Sequence, residues 1–388
     1  MKPHLFHVFA TFAPGGPQVR TARIVNALAG EFRHSILAMD GHTEARELLA
    51  SSTDPDAAPG PARGAGNEVE VRFFEPPRKG ALRAVPYLRR LLRRESPDLL
   101  LTYNWGAIEA VLAGLFAGVP ILHHEDGFRA DEAAGFKRRR TWARRLLLQR
   151  VNGVIVPSRK LEKIALELWK LPRERVHYVP NGIRIEDFPP RDGNPELRAK
   201  LGIPRDAFVV GSVGHLRPEK NFVRLVEAFA LLALDPPARL LLVGEGPERA
   251  NIERRARELG VLQRVHLVGY QPRAQPFYQA MDVFALSSDT EQMPVALLEA
   301  MASALPVVAT DVGDVDDIVP EEARHFLVSL SKPDAAGALS RALAELARDP
   351  DRAPHLSARD RERVRSSFSF DRMLAAHRRL YSGALESL

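Results

Sequence analysis

The run TEQMPVALLEAMASALPVVATDVGD, residues 290–314, reads as a helix feeding a buried strand. Proline is favoured at the first position of a helix, so the helix is expected to start near Pro294. Leu297, Leu298, Ala300 and Met301 then form its apolar stripe, and LPVVATDVG follows as a buried strand that ends in a glycine turn. Two glutamates eight positions apart, Glu291 and Glu299, lie a little over two helical turns from each other. Glu299 falls one turn inside the helix and Glu291 in the loop before it, so both carboxylates can face one pocket. Exposed amides and the positive end of the helix dipole suit a phosphate there, and a carboxylate one turn in can accept hydrogen bonds from two ribose hydroxyls. A charge among apolar neighbours is costly unless it has partners.

Working outward, short apolar strands alternate with helical stretches along most of the chain, which predicts parallel sheets built from right-handed strand-helix-strand units. One set of strands is expected at HLFHVFA, HSILAM, EVEVRFF, DLLLTY, VPILHHE and GVIVPS. A second set is expected at FVVGSVG, RLLLVG, VHLVGY, VFALSS and PVVATD. Between the sets, YVPNGIRIEDFPPRDGNPEL carries Pro180, Pro189, Pro190 and Pro195 beside Asn181-Gly182, a composition suited to a hinge. The expected domains are therefore residues 1–182 and 189–368. The tail from about 369 to 388 is helical by pattern and is expected to cross back onto the first domain. Residues 51–66, rich in Pro, Ala and Gly, read as a mobile loop or lid.

At 388 residues the chain is too long for one ordinary core, and its 45% apolar and 27% charged composition is that of a soluble globular protein. It has no cysteine, which excludes a disulfide framework, a thiolate metal site and a cysteine nucleophile. The N-terminus, MKPHLFHVFATFAPGG, reads as a first strand and turn rather than a secretion signal. The charge-free run AVLAGLFAGVPIL is shorter than the roughly 18 residues of a spanning helix.

The net charge of +6 is concentrated. Arg129, Lys137, Arg138, Arg139, Arg140, Arg144, Arg145 and Arg150 stand against only Asp131 and Glu132, a local excess equal to that of the whole chain. Phe136, Trp142, Leu146, Leu147 and Leu148 interleave with these cations at helical spacing, and Tyr87–Arg94 (YLRRLLRR) repeats the pattern. Residues 136–150 and 87–94 thus read as basic amphipathic helices suited to an anionic membrane surface, or as ordinary surface helices. Nucleic acid is not expected as a partner, since no RNA-binding aromatic motif or zinc-finger spacing occurs.

With these elements in place, the chain resembles the retaining glycosyltransferases of family 4, and it does so over nearly its whole length. The resemblance implies the GT-B fold: α/β, two Rossmann-like domains whose parallel sheets face across a cleft. It implies a metal-independent enzyme with a nucleotide diphosphate-sugar as co-substrate, bound by the C-terminal domain, and the acceptor on the N-terminal domain. In VGHLRPEKNF, Lys220 matches the lysine that neutralises the donor diphosphate. His215 stands where an arginine is usual, so Arg217 is expected to supply the second cation, with His215 contributing when protonated. LLVGEGPER matches an architectural glycine turn. VGYQPRAQ matches the loop that holds the nucleobase, at Gly269, Tyr270 and Gln271. Glu299 takes the ribose, Glu291 lies near the transferred sugar, and the backbone of Met293, Pro294 and Val295 touches sugar or phosphate. In FAPGGPQVRTARIVNAL, Gly15 and Gly16 let the backbone approach the diphosphate and acceptor, with Asn104 on the acceptor side.

Relatives place a sugar-contacting histidine after the strand VPIL. Here the chain reads His123-His124-Glu125-Asp126, and the register admits either His124 or Asp126 as the counterpart. A metal site in this run is disfavoured because consecutive strand side chains point to opposite faces. The implied reaction is transfer of a hexosyl group, with retention, to a hydroxyl of a saccharide or lipid-linked acceptor. It belongs to cell-surface polysaccharide or glycolipid synthesis, in the cytoplasm or at the inner face of the cell membrane. A sugar-nucleotide epimerase of the same fold and a non-enzymatic assembly protein on a decayed transferase fold are the alternatives. The PGGP turn lacks the G-x-G-x-x-G spacing of a nicotinamide dehydrogenase.

Overall fold

The computed structural model describes residues 1–49, 69, 71–77, 81–128, 137–331, 333–349 and 351–386, so the expected lid at 51–66 lies outside the described residues. The chain divides into two units, residues 1–181 with 373–388, and residues 182–372.

The first unit runs β1 (His4–Phe9), α1 (Gly16–Leu28), β2 (Arg33–Ala38), β3 (Val71–Phe74), α2 (Ala81–Glu95), β4 (Leu99–Tyr103), α3 (Ile108–Ala117) and β5 (Ile121–His124). It continues with α4 (Arg138–Leu148), β6 (Gly153–Val156), α5 (Arg159–Glu167) and β7 (Val176–Tyr178). Its seven strands are all parallel, in the order β3-β2-β1-β4-β5-β6-β7. Helices cover both faces, so central strands such as LLLTY in β4 are buried at every position and read as unbroken apolar runs. β7 was not among the expected strands. It has three residues between Pro172 and Pro180, too few to show a period, and it is a strand only because β6 pairs with it at the sheet edge.

The second unit runs α6 (Pro195–Lys200), β8 (Val209–Val213), α7 (Phe222–Ala230), β9 (Arg239–Val243), α8 (Arg249–Glu258), β10 (Val265–Leu267), α9 (Gln275–Gln279) and β11 (Val283–Leu286). It continues with α10 (Val295–Ala302), β12 (Val307–Thr310), α11 (Val315–Ile318), β13 (Leu327–Val328), α12 (Ala335–Arg348) and α13 (Arg352–Ser367). These six strands are again parallel, in the order β10-β9-β8-β11-β12-β13. The run that opened the sequence analysis becomes α10 followed by β12, with Pro294 at the helix cap. β13, a two-residue strand, was likewise not expected.

Both sheets reverse their strand order once, between β1 and β4 and between β8 and β11. In open parallel sheets the loops at the carboxyl ends of such strands diverge and leave a crevice for a ligand. α14 (Phe370–Glu386) starts in the second unit, where the Ile183 N–H donates to the Phe368 carbonyl and the Phe370 N–H donates to the Ile183 carbonyl. From Met373 onward it belongs to the first unit. There Tyr381 packs edge-on to Phe32, and Arg378 pairs with Glu31 at 2.8 Å.

Candidate functional site

In the second unit the two loops at the switch point are laced together before any side chain reaches outward. After β8, residues Pro218–Lys220 make one tight turn, and Asn221 caps α7 by accepting the Arg224 N–H at 3.1 Å. After β11, Ser287 Oγ donates to the carbonyls of Lys220 (3.1 Å) and Asn221 (3.0 Å), and the Asp289 N–H donates to the Glu219 carbonyl (2.8 Å). On this frame Lys220 Nζ donates to Glu291 Oε1 at 2.5 Å. Ser288 Oγ donates to the same oxygen at 2.7 Å. The pair is sheltered, with 27% of the Lys220 side chain and 9% of the Glu291 side chain exposed. His215 and Arg217, the other expected cations, are exposed on the same loop.

A third loop backs the glutamate. Gly313, after β12, has φ +62°, and a Cβ there would lie 2.4 Å from the Glu291 carbonyl oxygen, so only glycine fits. The Asp314 N–H donates to the Gln292 carbonyl at 3.1 Å. Behind β9 the requirement repeats: a Cβ on Gly244 would meet the Gly214 carbonyl at 1.9 Å, while the Gly244 N–H donates to the Gly269 carbonyl. The expected nucleobase loop is thereby tied to the same end of the sheet. In it Gly269 has φ +74°, Tyr270 is 67% exposed, and Gln271 turns inward to the Val268 carbonyl.

Glu299 lies one turn into α10, as its spacing predicts, and the partner it needs is Tyr278 on α9. The phenol donates to Glu299 Oε2 at 2.9 Å and lies 3.3 Å from the Ala296 carbonyl. Burial, and then the nearby Glu299 charge, push the Tyr278 hydroxyl well above its ordinary range, so it stays protonated and donates. Sequence reasoning missed this residue because Phe277-Tyr278 before a strand reads only as core. Met293 and Pro294 are buried and Val295 half-buried, so the cap of α10 is packed rather than free in solvent.

In the first unit, Gly15 caps α1; a Cβ on Gly15 would lie 2.8 Å from Gln18 Oε1, while one on Gly16 would meet nothing within 4 Å. Asn104 ends β4 with φ 58° and ψ 179°, a backbone state rare for L side chains. Its N–H donates to the His124 carbonyl, and its Oδ1 accepts the Asp126 N–H, both at 2.7 Å. Arg20 grips the Asp126 carboxylate with two bonds, 2.5 Å and 3.0 Å, and also donates to Asn181 Oδ1 at 3.0 Å. His124 is 2% exposed and stacks between Tyr103 and His377, with centroids 4.6 Å and 5.6 Å away. Its ring thus packs among the side chains of the first unit. Asp126 lies nearer the surface, but both its oxygens are held by Arg20. His123 points to the other face, where Nδ1 meets Thr102 Oγ1 at 2.8 Å. Among the described residues no three of His, Asp and Glu are placed to hold a metal ion.

The two basic segments differ. In α2, Leu88, Leu91 and Leu92 are buried, so its apolar face is spent on the core. In α4, Arg144 turns inward, 5.1–5.4 Å from the ring centroids of Trp105, Phe128 and Trp169, and its Nε donates to the buried Glu125 at 3.0 Å. Trp142 (65%) and Leu146 (58%), one turn apart, remain exposed. Arg129, Asp131, Glu132 and Phe136 lie outside the described residues. No helix among the described residues is long and apolar enough to cross a membrane.

Residues 15–182 match the family model described as glycosyl transferase 4-like domain, and residues 193–363 match that described as glycosyl transferases group 1. Among curated proteins, the chain is 27% identical over 258 residues to the UDP-Gal:alpha-D-GlcNAc-diphosphoundecaprenol alpha-1,3-galactosyltransferase of Escherichia coli, covering 64% of this chain and 66% of that protein. It is 35% identical to the lipopolysaccharide core biosynthesis glycosyltransferase LpsE of Rhizobium meliloti, covering 47% of this chain and 52% of that one. The match thus spans less than two thirds of either relative. The solved structure of Anabaena HepE in complex with UDP and glucose superposes with a TM-score of 0.82 at 19% identity, covering 100% of both chains. At that identity the likeness bears on the fold alone, which is GT-B.

Proposed function

The chain belongs to the group 1 glycosyl transferases, the family 4 enzymes of GT-B fold, and on that footing we propose that it moves a sugar from a nucleotide diphosphate-sugar to a hydroxyl with retention of configuration. The observation that carries this is the pairing of Lys220 with Glu291 at the switch point of the second sheet, beside a helix that holds Glu299 one turn in. Lys220 and Arg217 neutralise the donor diphosphate, with His215 beside them, so the charge that develops on the leaving group meets fixed cations and the roles need no metal. Glu299 takes the ribose hydroxyls, a charge-assisted contact worth about 1.5–3 kcal/mol. Glu291 holds Lys220 and lies toward the transferred sugar, and the loop at Gly269–Gln271 carries the base.

In the reaction the bond between the anomeric carbon and the diphosphate oxygen breaks, leaving an oxocarbenium-like ion beside the diphosphate. The acceptor oxygen bonds to that carbon on the same face, and its proton passes to the diphosphate. The first unit, with Gly15, Gly16, Asn104 and the Arg20–Asp126 pair at its own switch point, presents the acceptor.

The acceptor we propose is a saccharide or a lipid-linked saccharide, in cell-surface polysaccharide or glycolipid synthesis, used at the inner face of the cell membrane. Trp142 and Leu146 standing out among the arginines of α4 support a surface contact with anionic lipid. α2 adds only charge. Sedimentation with anionic vesicles at low salt tests this: binding is expected, and no binding leaves a soluble acceptor.

The first test of the activity is a thermal-shift screen of UDP-, GDP-, ADP- and CMP-sugars without added metal, run beside Glu299→Ala. One nucleotide class is expected to raise Tm in the parent and not in the variant. No shift with any of them, in well-folded protein, favours the non-enzymatic assembly protein instead.

A further inference from the structure

We infer that Tyr278 is the positioning residue of the donor site: its hydroxyl fixes the Glu299 carboxylate in the orientation that receives the ribose. The inference rests on the ribose role proposed for Glu299 and names the group that makes that role selective.

Glu299 is half-buried on α10, and a glutamate side chain has three rotatable bonds, so without a partner it would sample several rotamers before each binding event. Tyr278 removes that freedom. Its ring is fully buried, packed against Phe188 at 6.0 Å and 71° and against Phe284 at 6.0 Å. The hydroxyl therefore occupies one fixed point. From that point it reaches Glu299 Oε2 and the carbonyl of Ala296, two acceptors three residues apart on the same helix. One phenol thus registers both the backbone of α10 and the carboxylate that α10 carries. An ionised carboxylate can accept about four hydrogen bonds, and the bond from Tyr278 uses one of them. A carboxylate set in advance gains affinity because its ordering has already been paid for in the free protein. Tyr278 belongs to α9, on the connection between β10 and β11, so the same residue joins the end of the nucleobase loop to the ribose carboxylate.

Tyr278→Phe deletes the hydroxyl and keeps the ring, so its packing is retained. The measurement is calorimetric binding of UDP, GDP and ADP and of their 2′-deoxy counterparts to the parent, to Tyr278→Phe, to Glu299→Ala and to the double variant. The parent is expected to prefer the ribonucleotide over the deoxy form by about ten-fold for the base it accepts. Tyr278→Phe is expected to lose about ten-fold for the ribonucleotide and little for the deoxy form, so the preference collapses. In the Glu299→Ala background the tyrosine substitution is expected to add nothing. If Tyr278→Phe weakens both forms in parallel with the preference intact, or changes neither, the positioning role is overturned while the ribose role of Glu299 stands. If the parent binds both forms equally, the ribose role fails, and the inference falls with it.

Discussion

Lys220 and Glu291, 71 positions apart in sequence, meet at 2.5 Å across the two loops that leave the second sheet at its switch point. The cation expected to meet a diphosphate is therefore already held by a carboxylate, which is itself held by Ser288 at 2.7 Å. A lysine on a four-carbon stem is a mobile point charge, and the pairing aims it.

Two substitutions separate charge from aim. Lys220→Ala removes the cation and should lower kcat/KM for the donor by about ten- to hundred-fold, the range of one charge-assisted hydrogen bond. Glu291→Gln keeps the lysine but loosens it, so a smaller loss is expected in donor binding. Steady-state kinetics on both variants, with Tm as a control for folding, check this.

The first unit carries a layer of buried histidines whose response to acid can be stated. Burial is the main cause that holds His7 and His124 well below the ordinary range and brings His34 and His377 down to about 3. In the unfolded chain each takes up a proton near pH 6.5, and in the folded chain only far below that. The unfolded state therefore binds more protons across the window from about pH 6.5 down to about 3, and stability should be full above it and fall through it. Urea unfolding at pH 7.5, 6 and 5 is expected to show a steepening loss. His377→Phe should flatten the slope by about one proton.

Arg144 tests a different kind of burial. It is 1% exposed and joins Glu125, itself 0% exposed, inside a ring of aromatic faces. Arg144→Leu leaves Glu125 as an uncompensated buried charge, and a loss of about 3–5 kcal/mol is expected. The exposed Trp142 and Leu146 of the same helix should behave in the opposite way. Alanine at either position should leave the unfolding free energy within about 0.5 kcal/mol of the parent while reducing vesicle binding.

Asp360 on α13 is fully buried, and neither carboxyl oxygen has a hydrogen-bond partner among the described residues. Burial, with the Glu322 charge second, raises it well above the carboxylate range, so the folded chain keeps a proton that the unfolded chain releases near pH 4. The contribution of Asp360 to stability should therefore fall as pH rises above about 4, opposite in sign to the contribution of the histidines. Asp360→Asn cannot ionise, so it should raise Tm at pH 7 and leave it nearly unchanged at pH 4.

The order of the strands was legible in the sequence where apolar runs marked them. β7 and β13, three and two residues long, carried no such signal and exist through pairing with β6 and β12. At the site, the spacing of Glu291 and Glu299 around Pro294 predicted a helix start that α10 has. Tyr278 was illegible because its sequence neighbours are those of any core aromatic, and its hydroxyl matters only where another helix brings Glu299 to it. In the run after β5 a histidine at a strand end looks available in sequence, and only the fold shows that His377 from the C-terminal helix stacks on His124.

Local chemistry by itself therefore determined the alternation of elements, the turn glycines, the helix that opens at Pro294 and the residue types suited to a nucleotide diphosphate. These follow from backbone preference and side-chain period, which act over a few neighbours. Only the tertiary structure decided that Lys220 meets Glu291, that Tyr278 holds Glu299, that Arg20 holds Asp126 and that His124 is core. Each of these depends on which strands lie side by side and which helix covers them, and such contacts join residues tens of positions apart that share no local pattern.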